Sequence, residues 1–116
     1  MKSVALVIRR GPSGSLGTRE MVDMALVLAT FECPVVVILQ NAGVRWVALP
    51  EMPEKSPLAL SGKFKSLYLY DIETILVDRS SLEERKIPSS ANSLGVVVDR
   101  SVILNALAES DIILEA

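Results

Sequence analysis

The chain contains few groups able to do covalent chemistry. It has one cysteine, Cys33, and no histidine among 116 residues. A single thiol excludes an intrachain disulfide and any multi-cysteine zinc or iron–sulfur centre, and the lack of histidine removes most other metal ligand sets and the usual general base. No metal and no cofactor is expected. Cys33 is the only strong nucleophile, and a reactive thiol is one reading of it. It sits between an expected helix and an expected strand, before Pro34, with no imidazole to draw its proton. That setting fits a small buried filler better than a reactive thiolate.

The remaining candidates are polar side chains at turns. "RRGPSGSLGT" holds Gly11, Ser13, Gly14 and Gly17. It lacks the lysine and spacing of a Walker A loop, and its glycine spacing is not that of the dinucleotide GxGxxG fingerprint. It reads as a turn into a capped helix, with an anion cradle as the alternative. Asp78 and Asp99 could serve as paired carboxylates in acid–base work. Each also precedes an expected helix, where aspartate is a favoured N-cap.

The elements that must position these groups follow from the apolar pattern. Val4–Ile8 is a short apolar run, as expected of a strand buried on both faces, and "VVVILQ" from Val35 reads as a second buried strand. "TILVD" ending at Asp78, "LGVVVD" ending at Asp99 and the terminal "DIILEA" are expected as three further strands. Between them, helical patterns are expected over 18–31, from Leu58 to near Tyr70, from Ser80 or Ser81, and over "RSVILNALAES". A short helical turn is expected near Val44 to Leu49. Ser80 with Glu83 and Ser81 with Glu84 both have capping-box spacing. The alternation predicts one α/β domain over residues 1–116, a three-layer α/β/α sandwich on a mostly parallel sheet of about five strands, flavodoxin-like in outline, with strand order undetermined.

In such a sheet ligands bind beyond the carboxyl ends of the strands. That edge gathers Arg9, Arg10 and the glycine loop, then Asn41, then Asp78 and Arg79, then Asp99 and Arg100. Gly11, Ser13, Gly14, Asn41, Asp78, Arg79 and Asp99 are therefore the ligand-edge candidates, and a small-ligand or anion-binding domain is a second functional reading. Cys33 falls at the opposite, amino edge.

Composition bounds the partners. Twelve basic against fourteen acidic residues give a net charge of −2, so no basic footprint for nucleic acid is expected. No apolar run approaches the roughly 20 residues needed to span a bilayer, and Val4–Ile8 is shorter than a signal-peptide core, so a cytoplasmic protein is expected. Half the residues are hydrophobic and the mean hydropathy is +0.41, which in so small a domain predicts an oligomer. Trp46, Phe64, Tyr68 and Tyr70 crowd into residues 46–70 and are the interface candidates, tryptophan and tyrosine being favoured at contact hot spots.

Across nearly its whole length the chain resembles the DsrE/DsrF/DsrH family, most closely the TusC/DsrF branch. The matching stretches are "GTREMVDMAL", "NAGV", "FKSLYLYDIETILVDRSSLEERKI" and "SDIILEA". The resemblance implies a small α/β subunit of a hetero-oligomeric sulfur-relay complex that supports persulfide transfer, either for tRNA 2-thiouridine synthesis or for sulfur oxidation. The implied partners are cysteine-bearing DsrE/TusD-like and DsrH/TusB-like paralogues. It further implies that the carrier subunit's working cysteine corresponds to about Val77 or Asp78 here. Neither residue is a cysteine, so the resemblance implies a non-catalytic subunit, since a sulfane carrier needs a thiolate.

Overall fold

The computed structural model describes residues 2–11, 23–24, 27–28, 33–48, 75–91 and 95–115. Five strands, β1 (Val4–Ile8), β2 (Val35–Leu39), β3 (Ile75–Asp78), β4 (Val96–Val98) and β5 (Ile112–Glu115), form one sheet in the order β4-β3-β2-β1-β5. Every neighbouring pair is parallel. The described connections are a 3-10 helix η1 (Asn41–Ala48), helix α1 (Arg79–Glu84), a 3-10 turn η2 (Ser89–Ala91) and helix α2 (Arg100–Glu109). Residues 23–24 and 27–28 are helical and fall inside the helix expected over 18–31. The helix expected from Leu58 to Tyr70 lies outside the described residues.

The sheet is apolar on both faces because both are covered. Alternate residues point to opposite sides of a strand. Val4, Leu6 and Ile8 join Val37, Leu39, Ile75 and Val77 in one core, closed by Val44, Trp46 and Val47 of η1 and Leu82 of α1. Ala5 and Val7 join Ile38 and Leu76 in the other, closed by Ile103 of α2. The strand order explains this division. From β1 to β4 the chain steps in one direction, then returns past the whole sheet to place β5 beside β1. The described parts of the first three connections, at Leu28, η1 and α1, lie on one face and α2 on the other, as right-handed crossovers require.

The turn after β2 depends on an asparagine and a glycine. Gln40 donates its N–H to the Ile8 carbonyl at 3.1 Å, tying the exit of β2 to that of β1, and Asn41 then takes a positive φ of 52°. Asparagine tolerates this backbone better than most residues. Gly43 passes so close beneath the end of β1 that a Cβ there would fall on the Ile8 carbonyl. The 3-10 helix therefore begins at Asn41, three residues before the turn that the sequence suggests, because it is seated against β1 from its first residue.

Gly43→Ala is expected to cost about 1–3 kcal/mol, the usual range for forcing atoms into filled space. At Gly11 the nearest obstacle to a Cβ is the Ala42 carbonyl at 3.3 Å, so Gly11→Ala should cost less. Urea unfolding of the two variants beside wild type checks the ranking.

Candidate functional site at the carboxyl edge

β3 ends on Asp78, and a parallel strand entering a helix leaves that residue at the carboxyl edge with its side chain beside the helix start. Asp78 is fully buried. Its Oδ2 accepts hydrogen bonds from Ser81 Oγ at 2.6 Å and from an Arg100 terminal nitrogen at 3.0 Å. Ser81 Oγ in turn accepts the Asn41 backbone N–H at 2.9 Å. The four residues make a continuous chain from the exit of β2, through α1 and β3, to the first residue of α2. Arg100 is about half exposed, and its pKa is raised above the ordinary arginine value by the hydrogen bond from its guanidinium to Asp78 and by that carboxylate's charge. The pair is therefore ionised on the arginine side at every pH the protein meets.

Asp78 Oδ1 is buried and has no hydrogen-bond partner among the described residues. Such an atom costs about 1–3 kcal/mol, so Oδ2, with its two donors, must hold the carboxylate in place.

Asp78 and Asp99 both stand at N-cap positions, but neither side chain caps its helix. This corrects the capping reading. Asp78 spends its bonding oxygen on Ser81 and Arg100, and Asp99 pairs with Arg79 at 2.8 Å in an exposed bridge of a kind worth about 0–1 kcal/mol. The capping-box reading of Ser80 and Ser81 is corrected too: α1 starts at Arg79, so both serines lie inside the helix, and Ser81 turns to the Asp78 carboxylate instead. Asp78 and Asp99 each have their own arginine, so they do not form a shared acid–base dyad of two free carboxylates.

Other candidates disperse. Gly11 lies half-buried beyond β1, facing Ala42 and Arg45. Ser13, Gly14, Phe64, Tyr68 and Tyr70 lie outside the described residues. Trp46 is 2% exposed, and its indole N–H donates to the Arg10 carbonyl at 2.9 Å. It is a core residue fixing the chain beyond β1, which corrects its assignment as an interface contact. The hydrophobic side of η1 faces the sheet, and the ring goes with it. Cys33 precedes β2 at the amino edge, partly buried, with its S–H donating to the Lys2 carbonyl at 3.2 Å.

Ser81 and Arg100 are the structural members that the sequence did not single out. Arg100 stands one residue after Asp99 and gives no spacing signal toward Asp78, twenty-two residues earlier. Among the described residues no cluster of histidine, cysteine, aspartate or glutamate could hold a metal ion, and no helix is long and apolar enough to cross a membrane.

A parallel five-stranded α/β sheet with a helix-linked carboxylate where a loop pocket would open is the class of domain that this geometry defines. Residues 2–115 match the model of the DsrE/DsrF-like family, and the chain belongs to that family. It is also similar in fold to the crystal structure of the ychN protein from E. coli, with a TM-score of 0.83, 15% identity and 100% of each chain covered.

Ser81→Ala removes a donor to Asp78 and the acceptor of Asn41 N–H, and is expected to lower stability by about 1–3 kcal/mol. Ser80→Ala, one residue away and outside the network, should stay within about 0.5 kcal/mol of wild type. Paired denaturant melts distinguish the two. Arg100→Gln should also destabilise, and the loss should shrink when Asp78→Asn is added, a coupling that a double-mutant cycle measures.

Proposed function

We propose that this protein is a non-catalytic, TusC/DsrF-like subunit of a hetero-oligomeric sulfur-relay complex, supporting persulfide transfer toward tRNA 2-thiouridine or toward a sulfur-oxidation pathway. One observation carries the reading. Where the family resemblance implies the carrier's cysteine, at about Val77 or Asp78, this chain has a buried valine followed by a buried aspartate that is bonded to Ser81 and Arg100. A carboxylate cannot be loaded with sulfane sulfur, and this one is committed to holding elements together. The lone thiol stands at the other edge of the sheet, bonded to the Lys2 carbonyl. Membership of the DsrE/DsrF-like family supports the assembly role.

The proposed partners are cysteine-bearing DsrE/TusD-like and DsrH/TusB-like paralogues, met through Phe64, Tyr68 and Tyr70. Sulfur would pass between partner thiols while this chain supplies the surface that holds them in register, a positioning contribution rather than a chemical one.

Reconstituted transfer by the complete complex tests the role. Omitting this chain should abolish or strongly reduce transfer, and adding back the Cys33→Ser variant should restore it to the wild-type rate. Transfer that proceeds equally well without the chain contradicts the scaffold role. Loss of transfer with Cys33→Ser would make the chain a carrier.

A further inference from the structure

A second site lies at the amino edge of the sheet. A cavity of about 330 Å³ opens between the start of β2 and the last turn of α2. Its existence follows from the topology. Among the described elements α2 alone covers this face, and it ends at Glu109, where Ser110 turns to extended backbone. No described helix lies above the strand starts beyond that point. Val35, Val36, Leu76 and Ala106 line the cavity, with Val36, Leu76 and Ala106 continuing the core beneath α2.

The rim has one electrostatic sign. Among the described residues Glu109 is the single charged side chain lining the cavity, and no basic one lines it. The C-terminal end of α2 adds the negative end of its helix dipole. The serine hydroxyls reinforce this. Ser110 Oγ donates its proton to the Ala106 carbonyl at 2.8 Å, and Ser3 Oγ lies 3.3 Å from both the Glu109 carbonyl and the Asp111 carboxylate. The Ser110 proton is committed to a protein acceptor, and Ser3 Oγ, which also accepts the Asp111 N–H at 3.3 Å, is bonded within the chain, so neither hydroxyl offers the cavity a free donor. Asp111 is held beside the rim, its Oδ2 accepting Ser3 N–H at 2.8 Å.

An apolar floor with an acceptor-only, negatively charged rim selects a ligand with an aliphatic body and a donating cationic head. The volume is at the low end of small-molecule pockets, roughly 300–1,000 Å³, and so suits one short chain. We propose that this cavity binds a small linear alkylammonium ion. The methylenes lie on Val36, Leu76 and Ala106, and the ammonium group lies at the Glu109 and Ser110 rim. This binding is independent of the assembly role and of the thiol.

Amide-resolved NMR titration of the whole chain tests it with three probes of equal length at fixed ionic strength: n-pentylamine, n-pentanol and pentanoate. Pentylamine should shift the Val35, Val36, Glu109 and Ser110 amides in a saturable way, at concentrations several-fold lower than pentanol needs. Pentanoate should bind more weakly than either. Glu109→Gln, a change at the exposed end of α2, should bring pentylamine to the level of pentanol. Equal binding of amine and alcohol to the wild-type chain overturns the proposal. So do tighter binding of pentanoate, shifts confined to other residues, or no saturable shift with any probe.

Discussion

The buried carboxylate of Asp78 is the constraint on which the carboxyl half of this molecule depends. A fully buried charge is tolerated only when it is paired and hydrogen-bonded, and the partners that satisfy it come from elements on both sides of the sheet. Ser81 belongs to α1, packed on one face with Leu82 in its core. Arg100 opens α2, packed on the other with Ile103. Through Ser81 the bond continues to the Asn41 backbone, where β2 turns under β1. One side chain therefore joins the exit of β2, the end of β3 and the starts of two helices. Parallel α/β folds ordinarily leave these groups free for a ligand.

Strand order gives the two edges different characters. The return from β4 to β5 puts α2 on the face opposite η1 and α1, and among the described elements it is the one helix there, about 10–12 Å across with its side chains. It covers the middle of a sheet whose five strands span roughly 19 Å between the outermost axes. Val96 at one margin is 62% exposed and Ile113 at the other 46%. The carboxyl edge is closed by ion pairs, including the exposed bridge of Arg9 to Glu115 at 3.2 Å, and the amino edge is left with an open, apolar-floored cavity. In this arrangement the thiol of Cys33, at the start of β2, is far from the place where the fold gathers its helix beginnings.

Much of the framework was legible in the residues because it rests on local pattern. Unbroken runs such as Val4–Ile8 can only be strands covered on both faces, and Asp78 and Asp99 mark where strands yield to helices. What sequence could not give was long-range pairing. Nothing about Arg100 points to Asp78, and the capping-box spacing at Ser80 and Ser81 is the same for both, although only Ser81 is turned inward. Strand order is likewise a property of crossovers, so the division of the core between two faces became visible only with the coordinates. Trp46 illustrates the limit from the other side: its proline-flanked surroundings resemble an exposed loop, but η1 is pulled against β1 by the close approach at Gly43, and the ring follows into the core.

At about Val77 or Asp78, where the resemblance implies a carrier's cysteine, this chain has a buried valine and a carboxylate paired with Arg100. On the proposed reading the chain does not itself carry sulfur. Intact-mass measurement of the purified protein after incubation with a persulfide donor tests this most directly: the mass should be unchanged. A gain of one sulfur atom that disappears in the Cys33→Ser variant would contradict it.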